Sequence, residues 1–155
     1  MKKDFQDGNG PVSIHQHPNG KGWVADTAFV SDSVWVGPHS QIFGNARVCQ
    51  NVWVYERAQI FGNAWVSENA QIFGSAQIYG DTLIFGSSAI YGNAWVYGEA
   101  RVCGSARVYG NAQIFNSSRV SGTTKVSENE WTIGNAQGFG GHSQTCGNTW
   151  VSRDG

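Results

Sequence analysis

Residues 58–115 read AQIFGN AWVSEN AQIFGS AQIYGD TLIFGS SAIYGN AWVYGE ARVCGS ARVYGN AQIF, a period of six residues. Each hexad runs small residue, outward residue, aliphatic residue, aromatic or small residue, then a Gly- or Asn-rich pair. Side chains on a strand alternate between faces, so the small and the aliphatic positions point the same way and the residues beside them point the other. The closing pair is where the chain bends. A short fixed period marks a solenoid, and six is the period of a parallel β-helix.

Working outward, the frame holds from Gly22 to Val126, with the inward aliphatic at every sixth position from Val24 to Val126 across eighteen hexads. The small slot is Ala in ten of the eighteen, from Ala28 to Ala112, which fits a narrow core. Three hexads to a turn make an all-β triangular coil of about seven turns with essentially no helix. Residues 1–21 lack the repeat and carry turn signals at Gly8–Pro11 and Pro18–Gly20. They are expected to form a flexible tail and then a short strand around Val12 and Ile14 that covers the open end of the solenoid. After Val126 the frame would put Glu130 and Thr132 inward. An advance of one residue restores Ile133, Phe139, Thr145 and Val151 to that role, so residues 127–155 are expected to be register-shifted last coils and a C-terminal cap.

Composition narrows the function classes. A formal net charge of −1 with 14% charged residues suggests neither a phosphate-binding nor an acidic mimic surface, so no nucleic-acid partner is expected. No apolar stretch reaches spanning length and none follows Lys2 and Lys3, so the expected setting is cytoplasmic, without a membrane partner. Cys49 and Cys103 lie three coils apart, about 14 Å, beyond disulfide reach, and are expected to be free thiols.

Folding the frame onto a triangle sorts the outward residues. The first face carries Ala25, Phe43, Phe61, Tyr79, Tyr97 and Phe115 after the aliphatic, and Trp23, Gln41, Gln59, Gln77, Trp95 and Gln113 before it. A second aromatic face carries Gly37, Tyr55, Phe73, Tyr91, Tyr109 and Ser127 after, and Trp35, Trp53, Gln71, Ala89, Arg107 and Lys125 before. On the small-residue face, Ser31, Cys49, Ser67, Phe85, Cys103 and Ser121 follow the aliphatic, and Phe29, Arg47, Trp65, Leu83, Arg101 and Arg119 precede it. Stacked like residues stabilise a parallel coil by ring contacts and amide ladders. A strip of exposed rings is also what a contact surface looks like.

The hexads, with GWVADTAFVSDSVWVGPHSQIFGNA from Gly22 to Ala46, resemble the hexapeptide repeat of the left-handed parallel β-helix proteins, including bacterial and phage proteins labelled hexapeptide-transferase-like. The resemblance covers residues 22 to about 126 and implies the left hand; parallel crossovers are otherwise right-handed, so the hand rests on the resemblance and not on the spacing. Acyltransferases of that family work with a His on a coil or on a loop excursion. Here no excursion interrupts the hexads and His39, in VGPHSQ, is the one histidine of the regular coils, so it is a weak candidate base. The related γ-class carbonic anhydrases bind zinc through three histidines. His15 and His17 form HxH, which lacks a third ligand nearby, so no metal is expected. Arg47 and Arg101 stand beside Cys49 and Cys103 and would lower their pKa, yet Ser fills the same column and size matching explains the cysteines equally well.

The sequence therefore predicts a non-catalytic rigid solenoid without cofactor, binding itself or another protein through aromatic columns, with a homotrimer among the forms of self-association. The binding surface would comprise Trp23, Phe43, Phe61, Tyr79, Trp95, Tyr97 and Phe115 on the first face and Trp35, Trp53, Tyr55, Phe73, Tyr91 and Tyr109 on the second aromatic face. An acyl-CoA-dependent acyltransferase is the alternative, and an inhibitor of a host protein carried by a phage or mobile element is a second one.

Overall fold

The computed structural model describes residues 1–127, 130–133, 135–138 and 150–153. These residues form a parallel β-solenoid without helix, built from three sheets of ten, seven and six strands. In the regular coils most strands are two residues long, as in Gln59–Ile60 and Trp65–Val66. Each pairs in parallel with residues eighteen positions on, as Ile60 with Ile78 and Ile78 with Val96. The ladder is continuous: Phe61 N–H donates to Ile78 O at 2.9 Å, and Tyr79 N–H to Val96 O at 3.0 Å.

Both inward positions are buried as the alternation requires. Ile42, Ile60, Ile72, Ile78, Ile84, Ile90 and Ile114 are fully buried with the Ala column, in one continuous core. At two of the small slots filled by Ser or Thr the hydroxyl turns back to its own turn: Ser88 donates to Phe85 O at 2.9 Å and Thr124 to Ser121 O at 2.6 Å. Thr82 Oγ1 is buried without a hydrogen-bond partner. At the corners the residue after the aromatic position is left-handed. Gly62 has φ +66°, and a Cβ there would meet Gly80 N at 2.8 Å. Glu68 adopts the same conformation at φ 65°. Its side chain spans the coils instead, accepting from Gly86 N at 2.7 Å, while its own N–H donates to Gln50 Oε1 at 2.6 Å.

The expected strand around Val12 and Ile14 forms, as Val12–Gln16, while the structure departs from expectation in the tail before it, beyond Val126 and in the number of turns. The N-terminal tail is ordered. Lys2–Lys3 pairs antiparallel with Val12–Ser13, and Val12–Gln16 turns antiparallel onto Trp23–Ala25, extending the first face. Beyond Val126 the expected one-residue advance does not occur: Trp131 pairs with Gln113 and Thr132 with Ile114, still eighteen residues apart. The backbone ladder keeps its step there, and the shift comes later and in the other sense, because Ala136 pairs with Val120, a sixteen-residue step. Trp150–Arg153 then pairs antiparallel with Glu130–Ile133, with Val151 opposite Thr132. Six full turns are described rather than about seven; Phe139 and Thr145 lie outside the described residues.

Candidate functional site

The aromatic columns are stacked ladders. On the first face Phe43, Phe61, Tyr79, Tyr97 and Phe115 lie with successive ring centroids 4.6, 4.9, 5.1 and 5.4 Å apart and planes within 12° of parallel. On the second aromatic face Tyr55, Phe73, Tyr91 and Tyr109 stack at 4.8, 4.7 and 5.1 Å. The ring-to-ring spacing is the inter-strand spacing of a sheet, so each ring hides its neighbour's face. Phe43 is 4% exposed and the other ladder rings are half-buried. Burial pushes the Tyr55, Tyr79 and Tyr91 hydroxyls above the usual tyrosine range. The Gln column joins in part: Gln59 donates to Gln41 Oε1 at 3.4 Å, and Tyr97 OH to Gln113 Oε1 at 3.2 Å.

The residues that do face outward stand in the column before the aliphatic. Phe29, Trp35, Trp53, Trp65 and Trp95 are 61, 37, 52, 46 and 40% exposed. Trp35 and Trp53 touch at 5.9 Å with ring planes 28° apart, and the Arg47 guanidinium lies 5.9 Å over the Trp65 ring. Trp23 is half-buried, packed against the cluster of Ile14, Ala25 and Phe43. Two of these exposed rings, Phe29 and Trp65, with Arg47 and Cys49, line an open hollow of about 310 Å³ on the small-residue face. The column pattern of the sequence leaves Phe29 and Trp65 out of the surface because their face lacks a ladder. Their pre-aliphatic position was the signal.

The candidate chemistry does not converge. His39 is exposed, and among the described residues none hydrogen-bonds its ring. His15 and His17 do not form a shared ligand pair. His15 Nδ1 lies 2.6 Å from Asp26 Oδ1 with both side chains exposed, a partner sequence reasoning missed. His17 is 2% exposed with Nε2 3.0 Å from Val34 O, and burial lowers its pKa below the usual histidine value. Among the described residues no three His, Cys, Asp or Glu side chains gather as metal ligands. Cys49 and Cys103 are free thiols. The Cys103 pKa is not lowered as its Arg neighbours suggested. Burial and then Glu68 push it up, with Arg119 opposing, because half-burial outweighs one guanidinium in reach of solvent.

Part of the repeat is similar to a known repeat family. The model described as YdcK Beta solenoid repeat matches residues 40–56, 58–74 and 106–122. Those segments make up about a third of the chain, and the chain's period and fold are those of a parallel β-solenoid built on six-residue repeats. Among solved structures, the solenoid is similar to a point mutant of perosamine N-acetyltransferase from Caulobacter crescentus in complex with CoA and GDP-perosamine. That match is at 21% identity with a TM-score of 0.40, over 84% of this chain and 56% of that one. PerB from the same organism, also with CoA and GDP-perosamine, matches at 20% identity and a TM-score of 0.36 over 81% of this chain and 58% of that one. The solenoid thus spans a little over half the length of these structures. No curated protein matches it. No helix among the described residues is long and apolar enough to cross a membrane.

Proposed function

We propose that the solenoid is a rigid, non-catalytic binding or assembly module acting on protein surfaces through its exposed aromatic residues. The observation that carries this reading is the set Phe29, Trp35, Trp53, Trp65 and Trp95, five large rings between 37 and 61% exposed on strands held in the parallel ladder, those of Trp53, Trp65 and Trp95 from both sides. Such rings cost no backbone ordering on binding, and Trp is the residue type most often found to dominate interface energy. The ladder rings serve a different purpose: they support the coil and offer mainly their edges. The net charge of −1 favours a protein partner over a nucleic acid.

The alternative is acyl-CoA-dependent acyl transfer, the activity named for the N-acetyltransferase structures, with His39 as base. Mass spectrometry of mixtures of the protein, acetyl-CoA and a panel of amine and hydroxyl acceptors separates the two. The expected result is no acylated product above a protein-free control. Turnover that disappears in His39→Ala would replace the module reading with the enzyme.

A further inference from the structure

The second aromatic face has the chemistry of a surface that fits a second copy of itself. Its sheet holds six parallel strands, from Trp35–Val36 to Lys125–Val126, and among the described residues antiparallel strands are added only to the sheet of the first face. The first face, by contrast, is overlain at its N-terminal end by the chain's own Phe5, Val12 and Ile14. Along the second aromatic face the residues before the aliphatic pair rung by rung in the order Trp35, Trp53, Gln71, Ala89, Arg107, Lys125. One end is aromatic, the centre is small and uncharged, and the other end is cationic. The companion column, Gly37, Tyr55, Phe73, Tyr91, Tyr109 and Ser127, is the same from either end: one small residue, four rings, one small residue.

We infer that this face is an interface for an antiparallel homodimer, a deepening that rests on the module reading above. A two-fold axis lying in the face, parallel to the strands and midway between the rungs of Ile72 and Ile90, reverses rung order while keeping each column opposite itself. Trp53 then meets the partner's Arg107, and Trp35 the partner's Lys125. Gln71 meets Ala89, Tyr55 meets Tyr109, and Phe73 meets Tyr91. Guanidinium and ammonium groups facing indole rings are favourable cation–π pairs, and symmetry makes each pair twice. The same chemistry is already present within one chain, where Arg47 lies over Trp65. Packing the two copies parallel would instead gather both Arg107 and both Lys125 side chains at one end, like charges close together. Six rungs at about 4.8 Å make a face roughly 24–29 Å long, at the small end of specific interfaces, so the dimer forms and dissociates with concentration.

Sedimentation equilibrium of the wild-type chain, Trp53→Ser, Arg107→Glu and Trp95→Ser tests this. All three substituted side chains point outward, and a cooperative melt checks that each variant is folded. The expected result is a wild-type monomer–dimer equilibrium that is at least about tenfold weaker in Trp53→Ser and Arg107→Glu and unchanged in Trp95→Ser, which alters the first face. Orientation is read with a short thiol-specific bismaleimide, which spans the roughly 10 Å between packed sheets: Ala89→Cys, beside the axis, should link into dimers above the wild-type background, whereas Trp35→Cys, far from its symmetry mate, should not. Dimerisation lost in Trp95→Ser but retained in Trp53→Ser, linking through Trp35→Cys, or a wild type that stays monomeric would each overturn the antiparallel interface. Acyl transfer dependent on His39 would overturn the module reading itself.

Discussion

The Phe5 ring lies on Phe43, centroids 4.1 Å apart and planes 1° from parallel. Ala25 is the one rung of the first-face column without a ring, and it is fully buried beside Ile14 and Phe43. Phe5 therefore supplies from the tail the ring that the first coil lacks, and the ladder starts one ring earlier than its own strands provide.

Phe5→Ala should remove that ring without touching the ladder hydrogen bonds. The expected loss is about 1 kcal/mol or slightly more, the worth of one stacked aromatic neighbour and its burial. Hydrogen exchange should show it as faster exchange at Val12–Gln16 and Trp23–Ala25 with the central coils unchanged. Equal acceleration in every coil would show that the tail is not a local cap.

Two inward substitutions separate what the core requires from what it tolerates. Ile72 is fully buried, and Ile72→Asp places an unpaired carboxylate there, costing several kcal/mol against a total stability of about 5–15 kcal/mol. The middle coils should lose their cooperative melt. Thr82→Val goes the other way: it removes a buried hydroxyl that has no partner, in a slot that Val34 and Val52 fill elsewhere. A gain of about 1 kcal/mol in chemical denaturation is expected. A loss in Thr82→Val would mean that the hydroxyl is satisfied in solution.

His17 gives the N-terminal cap a pH dependence. Desolvation lowers its pKa and His15 adds to this, while the Val34 and Ser31 carbonyls and Asp32 pull the other way. The folded chain therefore holds His17 neutral at a pH where the unfolded chain, titrating at about 6.5, has begun to bind a proton. Unfolding takes up that proton, so the stabilisation is complete above about 6.5 and declines as pH falls toward the lower folded value. His17→Gln keeps a donor for Val34 and should flatten the decline relative to wild type in paired melts across this range. Parallel pH profiles for the two proteins would remove His17 from the account.

Much of the molecule was legible because a six-residue frame constrains every position twice, once by inward size and once by its column. Val24 to Val126 needed no tertiary information, and the stacking of Phe43 to Phe115 followed from the same count. What the frame does not contain was not legible. Phe5 lies in a tail without a period, and only the gap at Ala25 hinted at where it goes. At Thr132 the side-chain pattern favoured a shift, yet the backbone ladder held its eighteen-residue step. Exposure also inverted a ranking: the ladder rings cover one another, and the single residues Trp53, Trp65 and Phe29 are left facing solvent. The Asp26 partner of His15 came from a hairpin that the repeat does not describe.

A solenoid that works by association through its exposed aromatic residues has a solution mass that depends on concentration, and sedimentation of the wild-type chain over a wide range of concentration reads that dependence. The prediction is a reversible rise from the 16.8 kDa chain mass towards twice that value as concentration increases. A single 16.8 kDa species at every concentration would contradict it.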